Sequence, residues 1–190
     1  MNAAYYPLTP IDLRSATDRQ YAALTEFSNR TRAEKLPDDP PVPVEDRIKT
    51  WQNLPAFMEV HYSAVWDQAQ TQIIAGGQIQ ITRTGDNQHM APFGIDVLPE
   101  HRRQGLGRRL LAAVAVAAVQ EKRRLLLADT CERIPEGEVF MARLGASRGM
   151  EMHINQLKLG EVDRGLLHAW QEHAREAARE FMIGFWEGAY

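Results

Sequence analysis

Three features of the sequence predict an α/β (α+β) domain with a mixed, mostly antiparallel sheet and helices on both faces. Three β-patterned segments follow one another with only turn-forming residues between them, which makes an antiparallel meander. A Leu/Ala/Val-rich helix then separates the third segment from a short apolar run, and a helix joining two strands makes a parallel crossover. Two further helical segments precede the meander, and another follows the crossover.

In chain order, Tyr5 to Leu13 is a short apolar stretch broken by Pro7 and Pro10, which suits an edge strand. Thr17 can cap a helix that places Tyr21, Leu24 and Phe27 on one face. The acidic, proline-dense segment from Pro37 to Pro43 must be an exposed connection. A second helix, Glu45 to Asn53, carries Ile48 and Trp51 at helical spacing. Phe57 to Asp67 and Ile73 to Thr82 read as strands of one hairpin, because Ile79 and Ile81 alternate with Gln78 and Gln80 and a polar turn lies between the segments. The turn T-G-D-N-Q leads to a third strand over His89 to Leu98. From Leu106 to Lys122 the helix has little polar face before Gln120 and should be buried against the sheet. Leu125 to Ala128 has the unbroken apolar character of a central parallel strand. Gly137 to Leu144 is a short helix stopped by Gly145, and the last strand of the domain is expected within Glu151 to Leu159.

Composition narrows the function classes. The 190 residues suffice for one well-buried domain, and 44% apolar with 25% charged residues is ordinary for a soluble globular protein. A net charge of −3 offers no general attraction to nucleic acid or to an anionic membrane surface. The longest apolar run, Leu110 to Val119, is about half of the roughly 20 residues that span a bilayer. The N-terminus lacks the pattern of a secretory signal, and the single cysteine, Cys131, fits a reducing compartment, so a cytoplasmic location is expected. The six histidines show neither H-x-x-x-H spacing nor pairing with C-x-x-C, so no metal is expected.

Function concentrates in Val97 to Leu111, V-L-P-E-H-R-R-Q-G-L-G-R-R-L-L. A strand runs through Pro99 into a turn and directly into a helix whose first N–H groups have no partner within the helix. Gly105 and Gly107 lack Cβ and let a bulky anion approach those amides. Arg102, Arg103, Arg108 and Arg109 raise the local positive potential of an otherwise acidic chain, which suits a phosphate.

This stretch resembles the acyl-CoA-binding motif of the GNAT superfamily of N-acyltransferases: Arg or Gln, two residues, Gly, one residue, then Gly or Ala. Arg102, Arg103, Gln104, Gly105, Leu106 and Gly107 match it throughout, after the usual V-x-P-E. The order of elements is similar to the GNAT topology from about residue 5 to residue 160. The resemblance implies a sheet splayed at the cofactor site and acetyl-CoA, or a related acyl-CoA, as co-substrate. It implies that the backbone of Ile95, Asp96, Val97 and Leu98 pairs with pantetheine, and that the N–H groups from Arg103 to Arg108 hold the pyrophosphate. The acyl group would pass directly to an attacking amine.

Family members often place the proton acceptor on the strand leading into the motif, which makes His89 and Asp96 the catalytic candidates, with Glu132 a third. Many members carry a tyrosine four residues before the Gly of the last helix, to protonate the thiolate; Met141 stands there, and Tyr62 is a substitute from elsewhere. A degenerate acyl-CoA-binding or scaffold domain is therefore the competing expectation. Cys131 lacks an activating neighbour and is expected to be inert. The acceptor is a small-molecule or peptide amine that the sequence does not identify.

Residues 1–160 are assigned to the acyltransferase domain and 161–190 to an appended segment. Asp163 is a plausible cap for a helix carrying Leu166, Trp170, Ala174, Ala177 and Phe181 on one stripe, and Met182 to Trp186 has strand character. Such a tail resembles the junction of tandem GNAT proteins, where it starts a second half. It equally suits docking on its own domain, or a homodimer built through the tail.

Overall fold

The computed structural model describes residues 6–182 and residue 184. The chain divides into two compact units, Met1–Ala146 and Ser147–Tyr190.

In the first unit, β1 (Leu8–Ile11), β2 (Met58–Trp66), β3 (Ile73–Thr82), β4 (Met90–Val97) and β5 (Leu125–Leu127) form one sheet in chain order. The first four strands are antiparallel, and β4 pairs with β5 in parallel. The expected meander and crossover are both present.

Helix α1 (Asp18–Lys35) starts as the sequence indicates. The Thr17 side chain accepts from the Gln20 N–H, and the Gln20 side chain accepts in return from the Thr17 N–H, so two orphan donors are satisfied together. Its Ala23, Leu24 and Phe27 pack with Ala64, Trp66, Ile73 and Leu98 on one face of the sheet. Helix α2 (Val44–Gln52) docks beside it by stacking Trp51 on Tyr21.

Helix α3 (Leu106–Gln120) covers the other face, with Leu106 and Leu110 against Val65, Ile74 and Ala75, and Val114 and Ala118 against Ile79, Ile81 and Ala91. Consecutive glycines in β3 serve the two layers. A Cβ on Gly77 would lie 3.1 Å from the Leu110 side chain, and one on Gly76 would overlap the Tyr62 hydroxyl.

Three expectations need correction. Only one stripe of α3 is buried, with Val116 58% and Val119 75% exposed, because a single layer of sheet covers the helix. The strand β5 is not central but lies at the edge of the sheet among the described residues, and its Leu125 and Leu127 are 44% and 42% exposed. No strand forms over Glu151 to Leu159, where Met152, Ile154, Leu157 and Leu159 point into solvent and the backbone has no ladder to join.

Helix α4 (Pro135–Arg143) closes the first unit. The second unit contains α5 (Arg164–Ala177), whose Asp163 cap accepts from the Leu166 N–H. The strand expected over Met182 to Trp186 lies mainly outside the described residues.

Candidate acyl-CoA site

The parallel pairing of β4 with β5 covers only Met90 to Pro92, yet β4 continues to Val97. Beyond Pro92 the pairing stops where β5 ends at Leu127, and one edge of β4 has no strand partner among the described residues. Its other edge pairs with β3 from Phe93 to Val97, and the Leu98 N–H reaches the Ile74 carbonyl. Main-chain polar groups alternate in direction along an antiparallel strand, so Asp96 and Leu98 are committed to β3 while Ile95 and Val97 face the opening. Of the four strand residues named from the sequence, Ile95 and Val97 therefore have their main-chain groups on the edge away from β3.

The strand runs through a 3-10 turn, Pro99–His101, into the glycine segment. Gly105 is the N-cap residue of α3 and has φ +82°, a conformation that a Cβ disfavours. Arg103 is also left-handed, at φ +62°. Nothing lies within 4 Å of the place a Gly105 Cβ would take, and a Gly107 Cβ would meet only the Phe140 ring at 3.8 Å. Internal packing thus does not demand either glycine; an open space above the α3 N-terminus does fit both.

The arginines of the cluster have separate roles. Arg102 is engaged internally. Its Nε donates to the Val97 carbonyl at 3.1 Å, one terminal nitrogen meets Glu34 at 2.5 Å, and the other lies 3.6 Å from Glu136. The Glu34 hydrogen bond raises the pKa of this guanidinium further. Arg102 thereby ties the glycine turn to α1 and α4. Arg109 donates to the Tyr6 carbonyl at 2.5 Å. Arg103 and Arg108 make no ion pair among the described residues, and with Gln104 and Leu106 they complete the turn.

The two base candidates fall in different places. His89 is exposed where β4 and β5 are still paired, and its carbonyl accepts from the Arg124 and Leu125 N–H groups. It is about 23 Å along the strand from Asp96, at ~3.3 Å per residue. Asp96 lies beside the opening, directed to the α1 face, where the Lys35 ammonium donates to Oδ1 at 2.6 Å. That contact was not legible in the sequence, since 61 residues separate the partners.

Tyr62, partly buried on the same face, has its phenol pKa raised, chiefly by burial and next by the Asp96 charge. It remains a protonated hydrogen-bond donor at neutral pH. Glu132 and Cys131 follow β5, the first exposed and the second half-buried. Helix α4 carries Met141 and no tyrosine.

A separate cluster brings ligand-type atoms of Glu59, His61 and Glu121 within 4.8 Å of one another. The Arg83 guanidinium meets both carboxylates at 2.6 Å and holds their pKa values below the usual range. The cation this cluster holds is an arginine.

No curated protein matches the chain by sequence. The model of the acetyltransferase (GNAT) domain family matches residues 60–145, from β2 to the end of α4. Among solved structures, a tandem GNAT protein from the clavulanic acid biosynthesis pathway aligns at TM-score 0.61 with 19% identity over 76% of this chain and 45% of its own. The aminoglycoside 6'-N-acetyltransferase AAC(6')-Ih from Acinetobacter baumannii aligns at 0.55 and 19%, over 82% of this chain and 100% of its own. The ribosomal-protein-alanine N-acetyltransferase from Brucella melitensis aligns at 0.56 and 14%, over 80% and 100%. The fold and the family match agree: residues 60–145 are similar to the acetyltransferase (GNAT) domain, and the sheet with its helices has a GNAT-like fold.

Proposed function

We propose that the protein transfers the acetyl group of acetyl-CoA to an amine by direct attack, with Asp96 as the proton acceptor. The observation that carries this reading is the continuity of the open β4 edge with the glycine turn at the α3 N-terminus. Ile95 and Val97 offer main-chain partners to the pantetheine amides. The amides from Arg103 to Arg108, with the Arg103 and Arg108 side chains, offer donors to the pyrophosphate. Arg102 acts through the turn by holding it. Asp96 is favoured over His89 because it flanks the opening, and geometry precedes pKa in choosing a base.

The amine itself is a small-molecule or peptide group. The similar structures include enzymes named for aminoglycosides and for a ribosomal-protein alanine, and both kinds remain in the test. Calorimetry with acetyl-CoA comes first. A saturating ligand at a hundred times its Kd stabilises a fold by about 2.7 kcal/mol. A folded Gly105→Glu, Gly107→Glu double variant should lose that gain. Thiol release against a panel of amines then tests turnover.

Binding without turnover on any amine would favour the acyl-CoA-binding or scaffold reading, which the missing tyrosine in α4 supports. We further propose residues 161–190 as an appended interaction segment that forms a homodimer. Leu166, Leu167 and Trp170 on α5 are exposed, and sedimentation of the intact chain tests the association. No helix of the described residues is long and apolar enough to cross a membrane. The half-buried free thiol of Cys131 supports a cytoplasmic location.

A further inference from the structure

Lys35 is the last residue of α1, and its Nζ reaches across to the strand that borders the opening, 2.6 Å from Asp96 Oδ1. The pair is open to solvent, with the lysine side chain 41% and the aspartate side chain 35% exposed. Two neighbouring ion pairs hold the end of α1 in place, Arg30 with Glu100 and Glu34 with Arg102, so the amine is presented by an anchored helix terminus. Asp96 itself sits between Ile95 and Val97, the two residues whose main chain faces the gap. A primary amine therefore already occupies the place in which the proposed reaction needs one, with its proton acceptor in contact.

We propose that Lys35 is a site of intramolecular acetylation, modified by acetyl-CoA bound to the same chain. The inference rests on the acetyl-transfer reading of the opening. In this step the Lys35 ammonium gives one proton to the Asp96 carboxylate, which passes it to solvent. The freed Nζ lone pair attacks the thioester carbonyl carbon, the N–C bond forms, and the C–S bond breaks with its electron pair on sulfur. The remaining surplus proton of the nitrogen goes to the thiolate. The products are Nζ-acetyl-Lys35, free CoA thiol and one proton in solvent.

Acetylation also removes the lysine charge, and with it the ion pair to Asp96. The carboxylate beside the opening is then without its lysine partner, ready for the ammonium of an incoming acceptor. Lys35 is thus both the first amine the site meets and a plug that its own modification withdraws.

The test incubates the intact protein with acetyl-CoA and follows acetyl occupancy at its four lysines, Lys35, Lys49, Lys122 and Lys158, by peptide mass spectrometry, with calorimetry of acetyl-CoA binding in parallel. The expected result is acetylation of Lys35 at least about tenfold faster than of the other three, because a held amine gains from proximity. The rate should not change on dilution of the protein. Asp96→Asn should bind acetyl-CoA and lose the selectivity for Lys35. Three results overturn the inference: Lys35 modified no faster than the other lysines, a rate that rises with protein concentration, or selectivity that survives Asp96→Asn. Acetyl-CoA binding and thiol release to added amines without Lys35 acetylation would remove this inference alone, leaving Lys35 as an ion-pair partner. Absence of acetyl-CoA binding would remove the proposed function with it.

Discussion

The hydroxyl of Tyr62 occupies the space that a Cβ on Gly76 would need, one strand over in the sheet. The absence of a side chain on β3 therefore permits a phenol from β2 to lie flat toward Asp96, which pairs with Gly76 in the ladder.

Gly76→Ala should destabilise the protein by about 1–3 kcal/mol, the usual cost of overpacking a filled site. Because the overlap is worst at the phenol oxygen, Tyr62→Phe in the same chain should return part of the loss. Urea denaturation of the four variants measures this, and strictly additive effects would refute the contact.

The raised pKa of Tyr62 sets a sign at alkaline pH. A phenol that holds its proton more tightly when folded contributes stability that is complete below its ordinary value, about 10, and is lost as pH rises toward the folded value. Tyrosinate absorbance should show one tyrosine ionising only with unfolding, and Tyr62→Phe should remove that step.

Gly105 carries φ +82° in open surroundings, so strain rather than crowding should govern substitutions there. Gly105→Ala is expected to cost about 1–2 kcal/mol, the penalty for a left-handed residue with a Cβ. Gly105→Asn should cost less, since asparagine tolerates this region, and thermal unfolding ranks the three.

Arg102→Ala leaves the Val97 carbonyl and the Glu34 carboxylate without their partner, at an expected cost of about 1–3 kcal/mol. A double-mutant cycle with Glu34→Ala should give a positive coupling energy, as for groups in one network. Zero coupling would mean that the pair does not tie α1 to the turn.

Zinc should leave the melting temperature of the wild type unchanged, because Arg83 already neutralises Glu59 and Glu121. Arg83→Ala leaves those carboxylates with His61 and should make the melting temperature respond to zinc. A wild-type response equal to the variant's would show that the arginine does not block the site.

Local signals carried the parts of the fold that depend on local chemistry. The bounds of β3 match the alternation of Ile79 and Ile81 with glutamines, and the cap sits at Thr17 as its hydroxyl predicts. Neither required knowledge of a distant residue. Position within the sheet was less legible: three consecutive leucines suit a strand covered on both faces, yet β5 has a neighbour on one side only among the described residues. The segment from Glu151 to Leu159 was read as a strand as well, but a strand exists only if another supplies its hydrogen bonds.

The candidate site divides in the same way. The glycine turn was visible because glycines and arginines at fixed spacing are a local pattern. The engagement of Arg102 with Glu34, and of Asp96 with Lys35, joins residues more than sixty positions apart, and no spacing in the sequence announces it.

The three ion pairs that fasten the end of α1 to the strand and turn, Arg30–Glu100, Glu34–Arg102 and Lys35–Asp96, are all partly exposed and so within reach of dissolved ions. Raising the ionic strength screens such pairs while it also screens the attraction between the turn and a polyphosphate. On the proposed function, the hold on acetyl-CoA and the shape of the surface that would hold it weaken together, and affinity should fall with salt more steeply than the phosphate charges alone would dictate.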